Sequence, residues 1–213
     1  MNNPQLRREA EHTIFDGQRM KAPLEKLFLR TGFDTSLIAQ HGVLCLDVGN
    51  GPEIEALRSY NPSNLTVSEP LSWWDGRRPG RGKERRSIIE SQSAGTNLHI
   101  VDGDPLDAMD YITRQLKRPV GLATMLNSHP TRLNGDWFFI VGVRAGEVLA
   151  NGGLMVLSVW EEEQSYTSKL LESLAKLHLH GEPSVRYEFF KDEYSKIGSQ
   201  YLLAQSNVLQ SSP

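Results

Sequence analysis

From residue 43 onward the chain alternates short apolar runs with stretches whose apolar residues recur at helical spacing. Val43-Leu44-Cys45-Leu46, Leu65-Thr66-Val67, Leu98 to Val101, Val120 to Leu126 and Leu154 to Trp160 are the five runs. None alternates polar with apolar, which is the signature of strands covered on both faces. Between them the pattern predicts helices at about 52–59, 84–92, 105–117, 135–150 and 161–179. In the third of these, Asp104 stands as cap and Pro105 at the first position, and Leu106, Met109, Ile112 and Leu116 share one face. Strands separated by helices pair in parallel through right-handed crossovers. The expected architecture is a doubly wound, mostly parallel α/β sheet with helices on both faces. Val185 to Phe190 and Gln200 to Ala204 read as two further strands, a C-terminal antiparallel hairpin closing the sheet edge. Upstream, residues 5–30 read as interrupted helix. Pro23 opens its second part, Leu24, Leu27 and Phe28 form its apolar face, and Gly32 stops it.

Composition narrows the class. At 213 residues, with 38% hydrophobic and 23% charged residues, the chain fits one soluble domain with a sizeable core. The expected division is a helical extension or lid over 1–40, a ligand-binding α/β domain over 41–205 and a flexible tail over 206–213. A single cysteine, Cys45, excludes an intramolecular disulfide framework. No apolar run approaches the roughly 20 residues that span a bilayer. The start of the chain has no apolar stretch of the signal-peptide kind, so the expected location is cytoplasmic, with no membrane partner.

The first strand ends in Leu46-Asp47-Val48-Gly49-Asn50-Gly51-Pro52-Glu53. Two glycines separated by one residue let backbone approach a ligand closely before a helix begins. Glu69 ends the second strand, twenty-two residues after Asp47. A carboxylate there matches the two vicinal hydroxyls of a ribose. The pair points to a nucleoside-containing cofactor. The dinucleotide fingerprint needs a third glycine where Ile54 stands, and no Gly-Lys-Ser or Gly-Lys-Thr follows to make a phosphate-binding loop.

Leu44 to Gly51 resembles the first motif of class I S-adenosylmethionine-dependent methyltransferases, with a Rossmann-like sheet. Glu69 falls at that family's ribose-binding acid. Val101-Asp102-Gly103-Asp104 resembles its third-strand motif, with Asp104 the better match to the acid that reaches the adenine amino group and Asp102 the second. Glu147 to Val156, through Gly152-Gly153, resembles its helix–Gly-Gly–strand signature. The resemblance runs over roughly residues 40–160 and implies S-adenosylmethionine as cofactor. It implies Asp47, Gly49, Asn50, Gly51, Glu69 and Asp104 as its binding residues, and the amide of Asn127, at the end of the fourth strand, is suited to hold cofactor or substrate. Two positions depart from the pattern. Glu53 replaces a frequent third glycine, and Gly121 stands where many members have Asp. At about 4 Å and an effective dielectric near 20, an ionised Glu53 would repel a cofactor carboxylate by about 4 kcal/mol. Alternatively it points away, as a first-turn acid favoured by the helix dipole.

For an O or N acceptor, methyl transfer needs alignment and removal of a proton. His129, just past the fourth strand, is the expected general base. His178 and His180 lack the partners of a metal site, so none is expected. The segment Arg77 to Arg86 carries six basic residues behind Trp73-Trp74, a combination that grips phosphates and stacks bases, closes over an acidic small substrate, or simply forms a solvated loop. Gly80 and Gly82 suggest mobility there. The net charge of −3 argues against a nucleic-acid partner. The reading is a methyltransferase acting on a small-molecule O or N acceptor, with room left for a homodimer. The alternatives are a non-catalytic or regulatory protein that retains the fold, and a nucleic-acid methyltransferase.

Overall fold

The computed structural model describes residues 19–48, 51–126, 140–159, 169, 185–191 and 200–206. All seven expected strands form: β1 (Val43–Cys45), β2 (Leu65–Ser68), β3 (Leu98–Val101), β4 (Val120–Met125), β5 (Leu149–Val159), β6 (Val185–Lys191) and β7 (Gln200–Ser206). They build one sheet in the order β3-β2-β1-β4-β5-β7-β6. β1 to β5 pair in parallel, and β7 runs antiparallel between β5 and β6. The doubly wound sheet with its antiparallel C-terminal pair is therefore as the sequence predicts.

The apolar runs serve two cores at once. Leu44, Leu46, Ala123, Met125, Met155 and Leu157 face one side, where Met109 and Ile112 pack on them. Val43, Cys45, Leu65, Val67, Leu122, Leu154 and Val156 face the other, against Leu24, Phe28, Ile38, Ile54, Leu57 and Ile89. Successive strand residues point to opposite faces, so a strand with a helix layer on each side has no polar positions to spare.

The helices are α1 (19–31), α2 (Ser36–His41), α3 (Pro52–Arg58), α4 (Leu71–Arg77), α5 (Arg81–Gln92), α6 (Pro105–Asp110) and α7 (Ala145–Val148), with a further helical turn over 140–143. α1 is already under way at residue 19, so Pro23 lies inside it and does not open it; Gly32, at φ +66°, ends it as expected. α6 starts on a capping box: Asp104 Oδ1 accepts from the amides of Leu106 (2.8 Å) and Asp107 (3.0 Å), and Asp107 accepts from Asp104 N–H. It continues into a wider π-helical segment, Tyr111–Leu116, which Lys117 closes. The expected helix over 161–179 lies outside the described residues, except for helical Lys169.

Three differences have local causes. α4 is absent from the sequence reading because LSWWDGR has no apolar stripe; it is started by Asp102, whose carboxylate accepts from the backbone and hydroxyl of Ser72. β5 starts at Leu149, inside the stretch expected to be helical. The Gly152-Gly153 pair is an irregularity within β5, where its register with β4 shifts, and not a helix–strand boundary. Gly152 takes φ +76°, and a Cβ on Gly153 would sit 2.8 Å from Ala150 O. Finally, Gly121 is set by packing. A Cβ there would stand 2.2 Å from Leu37 O of α2, so an aspartate is impossible at this amino end of β4. Its lack of a carboxyl group carries no information about the opposite, carboxyl edge of the sheet.

Candidate functional site

Where β1 gives way to the glycine turn, the chain is stitched to its neighbours. Leu46 N–H donates to Thr124 O of β4 (2.7 Å), Asp47 N–H to Ser68 Oγ (2.8 Å) and Val48 N–H to Ser68 O (3.3 Å). Asp47 adopts a left-handed φ of 51°, which aspartate tolerates better than most residues. Gly51 follows at φ +76° as the residue before α3, its N–H donating to Val48 O. Asp47, Gly51 and Glu69 are thus brought to the carboxyl ends of the adjacent strands β1 and β2. Asp104 lies beyond β3, and its Oδ1 is engaged as a helix cap. Gly49, Asn50, Asn127 and His129 lie outside the described residues.

Glu69 has 0% of its surface exposed, and its Oε1 accepts from Arg85 of α5 and from Trp74 Nε1 (2.8 Å). The Arg85 guanidinium also lies over the Trp74 ring, 4.0 Å from its centroid. A buried carboxylate needs such a counterion, because an uncompensated charge there would be strongly disfavoured. Charge alone drew attention to Arg85 in the sequence, as one of a basic cluster; its inward turn was not foreseen. The rest of that cluster divides. Arg81 pairs with Glu84 (3.0 Å), while Arg77, Arg78, Lys83 and Arg86 are exposed. Gly82 is buried, and a Cβ there would meet Leu71 O at 2.4 Å, so it serves close packing and not mobility. Trp73 is 41% exposed, edge-on to Trp74, with the Arg77 guanidinium 4.2 Å from its ring centroid.

Glu53 sits in the first turn of α3, yet turns inward and is 1% exposed. The expectation that it points away is therefore not met. Burial, reinforced by Asp47 and Glu69, pushes its carboxyl well above the ordinary range. That shift favours the neutral form, which would not repel a cofactor carboxylate as an ionised side chain would. Gln92, at the end of α5, is a second residue the sequence did not mark. It is 3% exposed, and its Oε1 lies 2.8 Å from where a Cβ on Gly51 would be. Glu53 Oε1 and both amide atoms of Gln92 have no hydrogen-bond partner among the described residues. Cys45 is fully buried, and its thiol is pushed up by that burial and by Glu53, consistent with a packing role.

Among known structures, an O-methyltransferase from Bacillus cereus in complex with S-adenosylhomocysteine superposes with a TM-score of 0.56 at 14% identity, over 92% of this chain and 91% of its own. The O-methyltransferase TomG from Streptomyces achromogenes, in complex with S-adenosylmethionine, gives 0.51 at 13% identity, over 78% and 72%. An rRNA methylase from Streptococcus thermophilus gives 0.51 at 11% identity, over 82% and 93%. By sequence, no family model and no curated protein matches the chain. The chain has the fold of the class I S-adenosylmethionine-dependent methyltransferases. Among the described residues no helix is long and apolar enough to cross a membrane.

Proposed function

We propose that the protein is a methyltransferase that binds S-adenosylmethionine over the carboxyl ends of β1 and β2 and acts on an O or N atom of a small molecule. The observation that carries this reading is the pair of positive-φ residues Asp47 and Gly51 at the carboxyl end of β1, next to Glu69 at the end of β2, in a fold shared with structures that hold this cofactor or its demethylated product. The residues fit the ligand. Gly51, at φ +76°, lets Gln92 and Ile54 close on the turn where a Cβ would clash, and buried polar atoms of Glu53 and Gln92 have no protein partner among the described residues. Glu69 would receive the ribose hydroxyls, Asp47 and the residues through Gly51 the aminoacyl end, and Asp104 and Asn127 the adenine side. The bound cofactor supplies an electrophilic methyl group. The protein's own work is alignment, and His129 takes the acceptor's proton.

Calorimetry with S-adenosylhomocysteine tests this directly. Glu69→Gln keeps an acceptor for Arg85 but withdraws the charge offered to the ribose. Affinity of the folded protein is expected to fall by about 1.5–3 kcal/mol per charged hydrogen bond lost, and the melting temperature to fall with it, because Arg85 is left buried without its counterion. Wild-type protein that binds neither S-adenosylmethionine nor S-adenosylhomocysteine refutes the assignment.

Trp73 stacked by Arg77, with Arg78, Lys83 and Arg86 exposed nearby, favours a second reading in which the acceptor is a nucleic acid. The net charge of −3 opposes it. Anisotropy titrations are expected to show no RNA or DNA binding tighter than about 10 µM at physiological salt. Tighter, salt-steep binding that disappears when Arg77, Arg78, Lys83 and Arg86 are replaced would transfer the function to this second class.

A further inference from the structure

We infer that Trp74 is a gate on Glu69: in the free protein its indole covers the carboxylate, and the ribose of an arriving ligand reaches Glu69 only by taking the indole's place on Oε1. The inference rests on the methyltransferase reading, which makes Glu69 the ribose acceptor, and adds that this acceptor is occupied before the ligand comes.

A ribose hydroxyl binds a carboxylate by touching it, and Glu69 has 0% of its surface exposed. Two donors on Oε1 supply part of that cover, Arg85 from α5 and Trp74 Nε1 at 2.8 Å. They lie at different depths. The Arg85 side chain is 8% exposed. Trp74 is only half-buried, its ring 4.0 Å from the Arg85 guanidinium and 4.7 Å from the Trp73 ring. Of the two, the indole is the one that reaches solvent.

The two donors also differ in what their departure would cost. Arg85 is the counterion of a buried charge, and its loss would leave that charge uncompensated. Trp74 offers a neutral N–H, and a ribose hydroxyl is a neutral donor as well. Exchanging one for the other leaves Glu69 paired with Arg85 and supplied with hydrogen bonds throughout.

α4 permits the exchange. Leu71 is the only buried residue of its seven. Polar contacts hold its backbone near both ends: Asp102 accepts from Ser72, and Asp75 Oδ1 accepts from Gly82 N–H at 2.8 Å. None of these contacts runs through the indole, so Trp74 can leave Oε1 by rotating its side chain while α4 stays in place.

A closed fraction lowers apparent affinity in proportion. Trp74→Phe keeps a ring beside Arg85 but withdraws the N–H that competes with ribose. Calorimetry should show S-adenosylhomocysteine binding about tenfold to a hundredfold tighter to this variant than to the wild type, the factor for one hydrogen bond to a charged group. A purely structural Trp74, or one that stacks on the ligand, gives equal or weaker binding instead. The gate is also visible on the indole itself. The chain has four tryptophans. The Trp74 N–H resonance, assigned by its loss in Trp74→Phe, should exchange slowly with solvent in the free protein and faster in the saturated complex. Should Trp74→Phe fail to fold, single replacement of the other tryptophans assigns the resonance by elimination. A Trp74 N–H equally protected before and after S-adenosylhomocysteine binds, or a folded Trp74→Phe that binds it no tighter, overturns the gate and leaves cofactor binding intact. Failure of the wild type to bind S-adenosylmethionine or S-adenosylhomocysteine overturns the methyltransferase reading, and this inference with it.

Discussion

Replacing Arg85 with alanine is expected to cost about 3–5 kcal/mol of stability, the usual penalty for leaving a buried charge without its partner. Glu69 has no exposed surface through which water could take over. Trp74 would also lose the guanidinium stacked on its ring. At about 2–4 °C per kcal/mol for a chain of this size, the melting temperature should drop by at least about 6 °C. The double variant Arg85→Met, Glu69→Gln should recover much of that loss, because removing both charges removes the unpaired one. A melting curve for Arg85→Ala that overlies the wild type would mean the pair contributes nothing to the fold.

Gly121→Ala should be comparably damaging for a different reason. A methyl group 2.2 Å from the Leu37 carbonyl cannot be absorbed by a side-chain rotation, because both partners are backbone. Either α2 lifts off β4 or the strand bends, and overpacking of this kind costs about 1–3 kcal/mol, more where no relaxation is open. Denaturant titration should show a lower midpoint. Calorimetric binding of S-adenosylhomocysteine to the fraction that remains folded should be unaltered, since the contact lies at the amino end of the sheet. Loss of binding in a fully folded variant would mean that Gly121 does report on the ligand site after all.

The strands were readable because burial on both faces leaves so few polar positions that a run such as Val43 to Leu46 has one good interpretation. The same logic failed at Gly152-Gly153. Glycine marks backbone freedom without saying whether a turn or a strand irregularity uses it, and there the β4 pairing decided. α4 was missed because its start depends on Asp102, thirty residues downstream of Ser72. In the site, Asp47, Gly51 and Glu69 follow from local spacing, and the structure does place them together. Arg85 and Gln92 do not follow, because what makes each notable is a neighbour on another element: Glu69 for one, Gly51 for the other. Glu53 was conspicuous as a departure from the glycine pattern, but its inward turn and burial are set by packing, which spacing does not encode.

The strand order also bears on the chain's synthesis. β6 touches the sheet only through β7, which follows it in sequence and pairs directly with β5 from Leu154 to Val159. A nascent chain that has emerged through residue 191 therefore has β6 in hand but nowhere to dock it, and the open edge of β5 is a strand whose Leu154, Val156 and Leu157 are destined for burial. Unpaired edges of this kind are where nascent and truncated chains associate wrongly. A ribosome that stalls before residue 200 would thus release a product whose sheet is paired from β3 to β5 yet adhesive along one side, which makes the arrival of β7 the step that renders the protein safe for its surroundings.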